Sequence, residues 1–196
     1  MIPTLQAFMS LRLKIIAHLL LTSISIISSV QIAHASHIVG GQLTYRYLGN
    51  RYYEIKLIIR RDCLNGADTV PFDNPAIIGV FYRDNQKAFR VGNDGTFRLK
   101  QTNDDTLHQR IDNICIGPHE EVCVHQSVYT DTFQIPYDAR GYYLVYQRCC
   151  RNITITNIES PDETGTTFVC EIKPLENAEI NSTPQWDDFP PIYSCA

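Results

Sequence analysis

The sequence predicts an all-β protein, an antiparallel β-sandwich cross-linked by disulfides, with a barrel as the competing architecture. Three observations carry this. Short runs in which apolar and polar residues alternate recur along the chain, punctuated by clusters of Gly, Asn, Asp and Pro. Beyond residue 35, no stretch longer than a turn shows the 3.6-residue period of a helix. All seven cysteines, Cys63, Cys115, Cys123, Cys149, Cys150, Cys170 and Cys195, also lie beyond residue 35, in the part read as exported to a compartment where disulfides persist.

The export reading rests on residues 1–35. Arg12 and Lys14 precede an apolar run, Ile15 to Val30, and Ala33-His34-Ala35 supplies a small-x-small cleavage site for a signal peptide. His18, Ser23, Ser25, Ser28 and Ser29 interrupt the run, which argues for cleavage and against a retained membrane anchor. Setting the leader aside leaves 161 of the 196 residues, enough for one domain that buries roughly 70% of the surface its unfolded chain exposes. The expected organisation is a leader at 1–35, a sandwich module at 36–175 and a Pro-rich tail or linker at 176–196. Beyond the leader, 15 Lys and Arg stand against 21 Asp and Glu, a formal charge of −6. That balance argues against nucleic acid and against an anionic membrane surface as partners.

Taken in order, Gln42 to Tyr47 sets Leu43, Tyr45 and Tyr47 against Gln42, Thr44 and Arg46, the alternation of a half-buried strand. Gly49-Asn50 supplies a turn, and Tyr52 to Arg61 completes a hairpin with Tyr53, Ile55, Leu57 and Ile59 on one face and Cys63 in phase beyond them. A long turn-rich connection follows, carrying Asn65-Gly66, Pro71 and Pro75. Ile77 to Tyr82, Lys87 to Val91 and Thr96 to Gln101 read as a meander, and residues 102–121 as polar and irregular. Alternation resumes in Val122 to Gln126 and Val128 to Ile135.

The strongest strand signal is Gly141 to Asn152, GYYLVYQRCCRN, read as a central strand. Alternation puts Tyr142, Leu144, Tyr146, Arg148 and Cys150 on one face and Tyr143, Val145, Gln147 and Cys149 on the other. The two sulfurs then diverge toward different partners, which disfavours a bond between them. Asn152 to Ile158 and Thr166 to Ile172 add two strands about Gly165, and Pro174, Pro184, Pro190 and Pro191 make the tail extended. Together these elements favour a sandwich of immunoglobulin-like architecture.

Cys115, His119, Cys123 and His125 carry the donor types of a zinc site. In an exported chain the favoured reading is a local Cys115–Cys123 disulfide, whose nine-residue loop contributes about 2.5 kcal/mol by chain entropy. Asp62, Asp68 and Asp73 with Asn65 and Asn74 offer oxygen ligands for calcium but lack a calcium-loop spacing; no other cofactor is expected. The acid pairs Asp104-Asp105, Glu120-Glu121 and Asp187-Asp188 read as solvated loop carboxylates, although glycoside hydrolysis uses such residues. Tyr52, Tyr53, Tyr142, Tyr143 and Tyr146 read as core and cross-strand packing rather than a sugar platform. Asn152-Ile153-Thr154 and Asn181-Ser182-Thr183 match the glycosylation acceptor pattern, read as coincidental, and no nucleophile–base motif or phosphate loop is present.

Four blocks carry a resemblance. They are Ala35-Ser36-His37-Ile38-Val39-Gly40-Gly41-Gln42-Leu43-Thr44-Tyr45, Arg61-Asp62-Cys63-Leu64-Asn65-Gly66, Tyr146-Gln147-Arg148-Cys149-Cys150-Arg151-Asn152 and Phe189-Pro190-Pro191-Ile192-Tyr193-Ser194-Cys195-Ala196. In this order they resemble the start of large Bacteroidetes cell-surface proteins, described as gliding-motility-associated C-terminal-domain or PKD-domain proteins. The resemblance implies an N-terminal, disulfide-stabilised β module of an exported, surface-attached or released protein. In long members a further immunoglobulin- or cadherin-like module follows, and then a sorting domain of the type IX secretion route.

The family pattern has six cysteines here, which implies Cys170 as the odd free thiol. Cys150, on the Leu144 and Tyr146 face, is then expected to bond Cys63, and Cys149 to bond Cys195. The expected function is a non-enzymatic extracellular module, secreted or on the outer cell face, serving adhesion or surface architecture. Its partners would be other extracellular modules or surface glycans. The competing class is a carbohydrate-binding accessory domain, followed by a secreted hydrolase.

Overall fold

The computed structural model describes residue 18, which is helical, and residues 37–64, 70–90, 94–107, 123–174 and 181–184. The chain divides into two units, Met1–His34 and Ala35–Ala196. The strands of the second are β1 (Ile38–Gly49), β2 (Tyr52–Asp62), β3 (Ala76–Tyr82), β4 (Thr96–Leu99), β5 (Gln101–Leu107), β6 (Val124–Gln134), β7 (Tyr142–Arg148) and β8 (Thr166–Ile172). One antiparallel sheet has the order β1-β2-β6-β5 and the other β4-β3-β7-β8. Neither closes on itself, so the fold is the expected sandwich and not a barrel.

The β1–β2 hairpin pairs Leu43 with Leu57, Tyr45 with Ile55 and Tyr47 with Tyr53, which puts the apolar set of both strands on one face. Its turn needs positive φ at Gly49, Asn50 and Arg51, a conformation that Gly and Asn adopt most readily. Ile55, Leu57 and Ile59 share one fully buried core with Ile78, Val80 and Leu144 of the opposite sheet, and burial stabilises the fold by roughly 1.5–3 kcal/mol for each such side chain. Phe97 of β4 stacks on Phe133 of β6 with ring centroids 4.0 Å apart, tying the sheets at one flank. At the other flank a Cβ on Gly41 would lie 3.0 Å from the Phe168 ring, so the bare glycine lets β8 close over β1.

The chain passes from β6 in one sheet to β7 in the other through a corner where the Tyr142 hydroxyl donates to the Pro136 carbonyl at 3.0 Å. Immunoglobulin-type sandwiches hold such corners in the same way. As expected, β7 lies inside its sheet, between β3 and β8.

Several elements differ from the sequence reading. Of the described part of the 87–91 stretch, residues 87–90, only Ala88 forms a bridge, to Phe81. Residues 101–107, expected to be largely irregular, form β5 along β6; this is an edge strand, and acidic side chains such as Asp104 and Asp105 suit an edge because they discourage pairing with another chain. The two stretches around Ser127 are a single strand. Asn152 to Ile158 is a series of turns, started where the Asn152 side-chain oxygen accepts from Thr154 N–H and its carbonyl from Ile155 N–H, the local bonding that lets Asn compete with a strand ladder. Part of the tail also docks on the sheet. Thr183 N–H donates to the Tyr45 carbonyl, Tyr45 N–H to Thr183 Oγ1 and Tyr47 N–H to Ser182 Oγ, covering the exposed edge of β1.

Candidate functional site

At one end of the sandwich, the β2–β6 ladder reaches Asp62 opposite Val124 and places Cys63 beside Cys123. Cys63 N–H donates to the Cys123 carbonyl at 3.1 Å, the Cα atoms stand 5.1 Å apart, and the sulfurs are bonded, as that spacing permits. This corrects two expectations, since neither Cys115–Cys123 nor Cys63–Cys150 forms. The physical reason is register: Cys63 staples neighbouring strands of one sheet instead of joining the two sheets. Cys149 and Cys150 bond to each other across a cis peptide, which also removes the expected Cys149–Cys195 bond. The alternation that separated their sulfurs applies only within a strand, and β7 ends at Arg148. Cys170 is free and buried; burial, and secondarily Glu171, pushes its thiol up to about 12. Cys115 and Cys195 lie outside the described residues.

Directly after the paired cysteines the chain crosses to the first sheet. Ile38 N–H donates to the Cys150 carbonyl and Asn152 N–H to the Ile38 carbonyl, both at 3.1 Å, while Asp62 N–H donates to the His37 carbonyl. The Asn152 amide then donates to Asp62 at 2.9 Å. Three of the four sequence blocks therefore meet at one place; the fourth, Phe189 to Ala196, lies outside the described residues. Asn152 is buried with its amide engaged, so its glycosylation pattern is not presented to solvent.

Just inside this end, the 70–73 segment is gripped from both sheets. Tyr146 donates to Asp73 at 2.6 Å, and Arg148 pairs with Asp73 and donates to the Pro71 carbonyl at 2.6 Å. From the first sheet, Arg61 donates to the Val70 carbonyl, lies 4.5 Å over the Phe72 ring and contacts His125 Nδ1 at 2.9 Å. Because a guanidinium only donates, Nδ1 is the acceptor and Nε2 carries the hydrogen shared with Asp104. Burial and then Asp73 raise the Tyr146 hydroxyl above its ordinary pKa.

Cys123 and His125 are thus engaged in a disulfide and in the Arg61–His125–Asp104 chain of polar contacts, which removes them from the zinc alternative. Of the calcium candidates, Asp62 and Asp73 are tied to different elements, and Asn65 and Asp68 lie outside the described residues. Among the described residues no group of three or more His, Cys, Asp and Glu is arranged to hold a metal. Asp104 belongs to the His125 pair, Asp105 caps Thr106 N–H, and Glu120, Glu121, Asp187 and Asp188 lie outside the described residues.

The second region is the outward face of the β4-β3-β7-β8 sheet, formed by the residues out of phase with the core. Register aligns Gly79 with Val145 and Phe81 with Tyr143, and Val145 with Val169. A Cβ on Gly79 would come within 2.7 Å of the Phe81 ring, so the ring occupies the space left by the glycine. An open concavity of about 640 Å³ is lined here by Phe81, Tyr143, Val145, Gln86, Thr96 and Gln147 among others. Ile77 and Val169 on the same face are 39% and 56% exposed. The pattern was legible in the sequence as the second face of the central strand, but the tyrosines were read together as packing. The structure separates them, with Tyr53, Tyr142 and Tyr146 in the core and Tyr143 outside.

Comparison with protein-family models, curated proteins and solved structures gave no match. Among the described residues no helix is long and apolar enough to cross a membrane. The disulfides fit an oxidising, extracellular environment.

Proposed function

We propose that this chain is a non-enzymatic module of an exported bacterial cell-surface protein, secreted or held on the outer face, that serves adhesion or surface architecture. The observation that carries the reading is the cysteine-bearing end, where the 149–152 crossing and the grip on the 70–73 segment bind the two sheets together and two disulfides fix the chain beside them. Its carboxylates are engaged within the chain: Asp73 by Arg148 and Tyr146, Asp104 by His125. Such an end suits a module that must keep its shape outside the cell, where disulfides persist. Three of the four sequence blocks that resemble the gliding-associated surface proteins converge on the same end.

A second reading, a carbohydrate-binding accessory domain, is supported by the ring-bearing outer face, whose charges Arg98 and Glu171 are paired with Asp94 and Arg83. Location provides the first test. The full chain, carrying a C-terminal epitope and expressed in a Bacteroidetes host, is expected to be cleaved near Ala35 and to be found in the medium or shaved from intact cells by protease. An uncleaved chain confined to the cytoplasm would contradict the proposal.

A further inference from the structure

We infer that the outward face of the β4-β3-β7-β8 sheet is a binding site for a neutral oligosaccharide or polysaccharide; this rests on the extracellular reading above and supplies its ligand. The first observation is the chemistry of the lining. Phe81 and Tyr143 are register partners on neighbouring strands and line the concavity with three uncharged polar side chains, Gln86, Thr96 and Gln147. Ring surfaces accept the C–H faces of a sugar, and amides and hydroxyls match its hydroxyl groups without a charge to desolvate.

The second observation is electrostatic. This face belongs to a chain with 38 Asp, Glu, Lys and Arg residues, yet the charges in phase with it are matched at its margins. Arg98 pairs with Asp94 at 3.1 Å, and Glu171 with Arg83. No net charge is left to select an acidic or basic polymer, so complementarity favours an uncharged ligand.

The third is shape. A concavity of about 640 Å³ falls in the range of small-ligand sites, about 300–1,000 Å³, whereas a protein partner asks for a broad face of roughly 800 Å² on each side. A second hollow of about 330 Å³ shares Gln147 and continues to Cys149, Gly165 and Thr167. The two hollows follow one another along β7 and share Gln147, a layout that favours a chain of sugars over a single one. The Arg148 that lines this second hollow is already paired with Asp73.

Gly79 sets the platform. Adding its missing methyl would displace the Phe81 ring from the position it now holds, so Gly79→Ala changes the site while touching no core residue.

The test uses the full chain, expressed with its own N-terminal segment and recovered oxidised, in affinity electrophoresis and calorimetry against soluble xylan, mixed-linkage glucan and mannan, with alginate as an acidic comparison. At least one neutral polysaccharide is expected to retard the chain and alginate to leave it unaffected. Tyr143→Ala and Gln147→Ala are each expected to weaken binding by roughly tenfold, the scale of one aromatic contact, and Gly79→Ala similarly. Tyr137→Ala, at an exposed ring elsewhere, is expected to bind as the parent does. Circular-dichroism melts of every variant confirm that the fold is intact.

Binding to alginate alone, or neutral-glycan binding indifferent to all three face variants, would overturn the site. So would sedimentation showing a dimer of the parent that Tyr143→Ala converts to monomer, because a second copy would then own the face. Any of these leaves the extracellular reading standing, since that reading fails on location and not on ligand.

Discussion

The two sheets turn different exteriors to solvent. Along the middle of the β1-β2-β6-β5 sheet the outward polar residues are tied to one another: Arg46 meets its register partner Glu54, and Arg60 donates to Gln126 at 2.8 Å. The apolar residues among them are covered, Ile58 completely and Val128 nearly so, beside long side chains such as Lys56 and Arg60 whose aliphatic stems shield apolar surface, whereas Val39, Leu48 and Tyr52, nearer the ends of β1 and β2, are exposed. On the other sheet the outward positions hold Ile77, Phe81, Tyr143, Val145 and Val169, in part open to water. A solvent face of an antiparallel sheet ordinarily reads polar, and the apolar middle that departs from this is the face proposed above to take a glycan. The difference lies in the centres of the two exteriors: one is finished within the chain, and the other is left open to water.

The largest effect expected lies in the staple of the finished sheet. Replacing both partners, Cys63→Ser with Cys123→Ser, opens a link across a sequence separation of 60 and should lower stability by about 4 kcal/mol, read as a shift in the denaturant midpoint. The comparison itself is sharpened by two matched truncations of outward-facing residues. Ile58→Ala should cost about 3 kcal/mol, as in a core, whereas Val169→Ala should stay within about 0.5 kcal/mol. Equal costs would erase the distinction between the exteriors.

Alkali should act on the interior alone. Burial raises Tyr45, Tyr142 and Tyr146 above the ordinary tyrosine value and Cys170 to about 12. Groups with a raised folded pKa contribute stability that is complete below their unfolded pKa and lost as pH climbs toward the folded one. The unfolding midpoint should therefore hold steady to about pH 9 and fall between there and pH 12, with tyrosinate absorbance rising along with unfolding. Full tyrosinate absorbance in a chain that stays folded would contradict this.

Much of the fold was legible because alternation is a local signal. β2 and β8 fall where the periodicity puts them, and the inward set Tyr142, Leu144 and Tyr146 follows from parity within β7. β5 was missed because an edge strand with Asn103, Asp104 and Asp105 carries no apolar alternation. The disulfides were misread for a different reason. Cys63 meets Cys123 only once β6 is known to lie beside β2, a neighbour relation across more than 60 positions that no local pattern encodes. Parity was also carried two residues past the end of β7, where it has no physical basis. The outer face was visible as Tyr143, Val145 and Gln147, but its partners Gly79, Phe81 and Val169 come from other strands and required the register.

The account depends above all on oxidised cysteines closing one end of the sandwich. Digestion of the full chain without reduction, followed by mass spectrometry of the linked peptides, tests it most directly. The expected result is a peptide containing Cys63 joined to one containing Cys123, Cys149 and Cys150 bonded within a single peptide, and Cys170 alkylated only after unfolding. A link from Cys63 to Cys150, or Cys63, Cys123, Cys149 and Cys150 all free in the native chain, would contradict it.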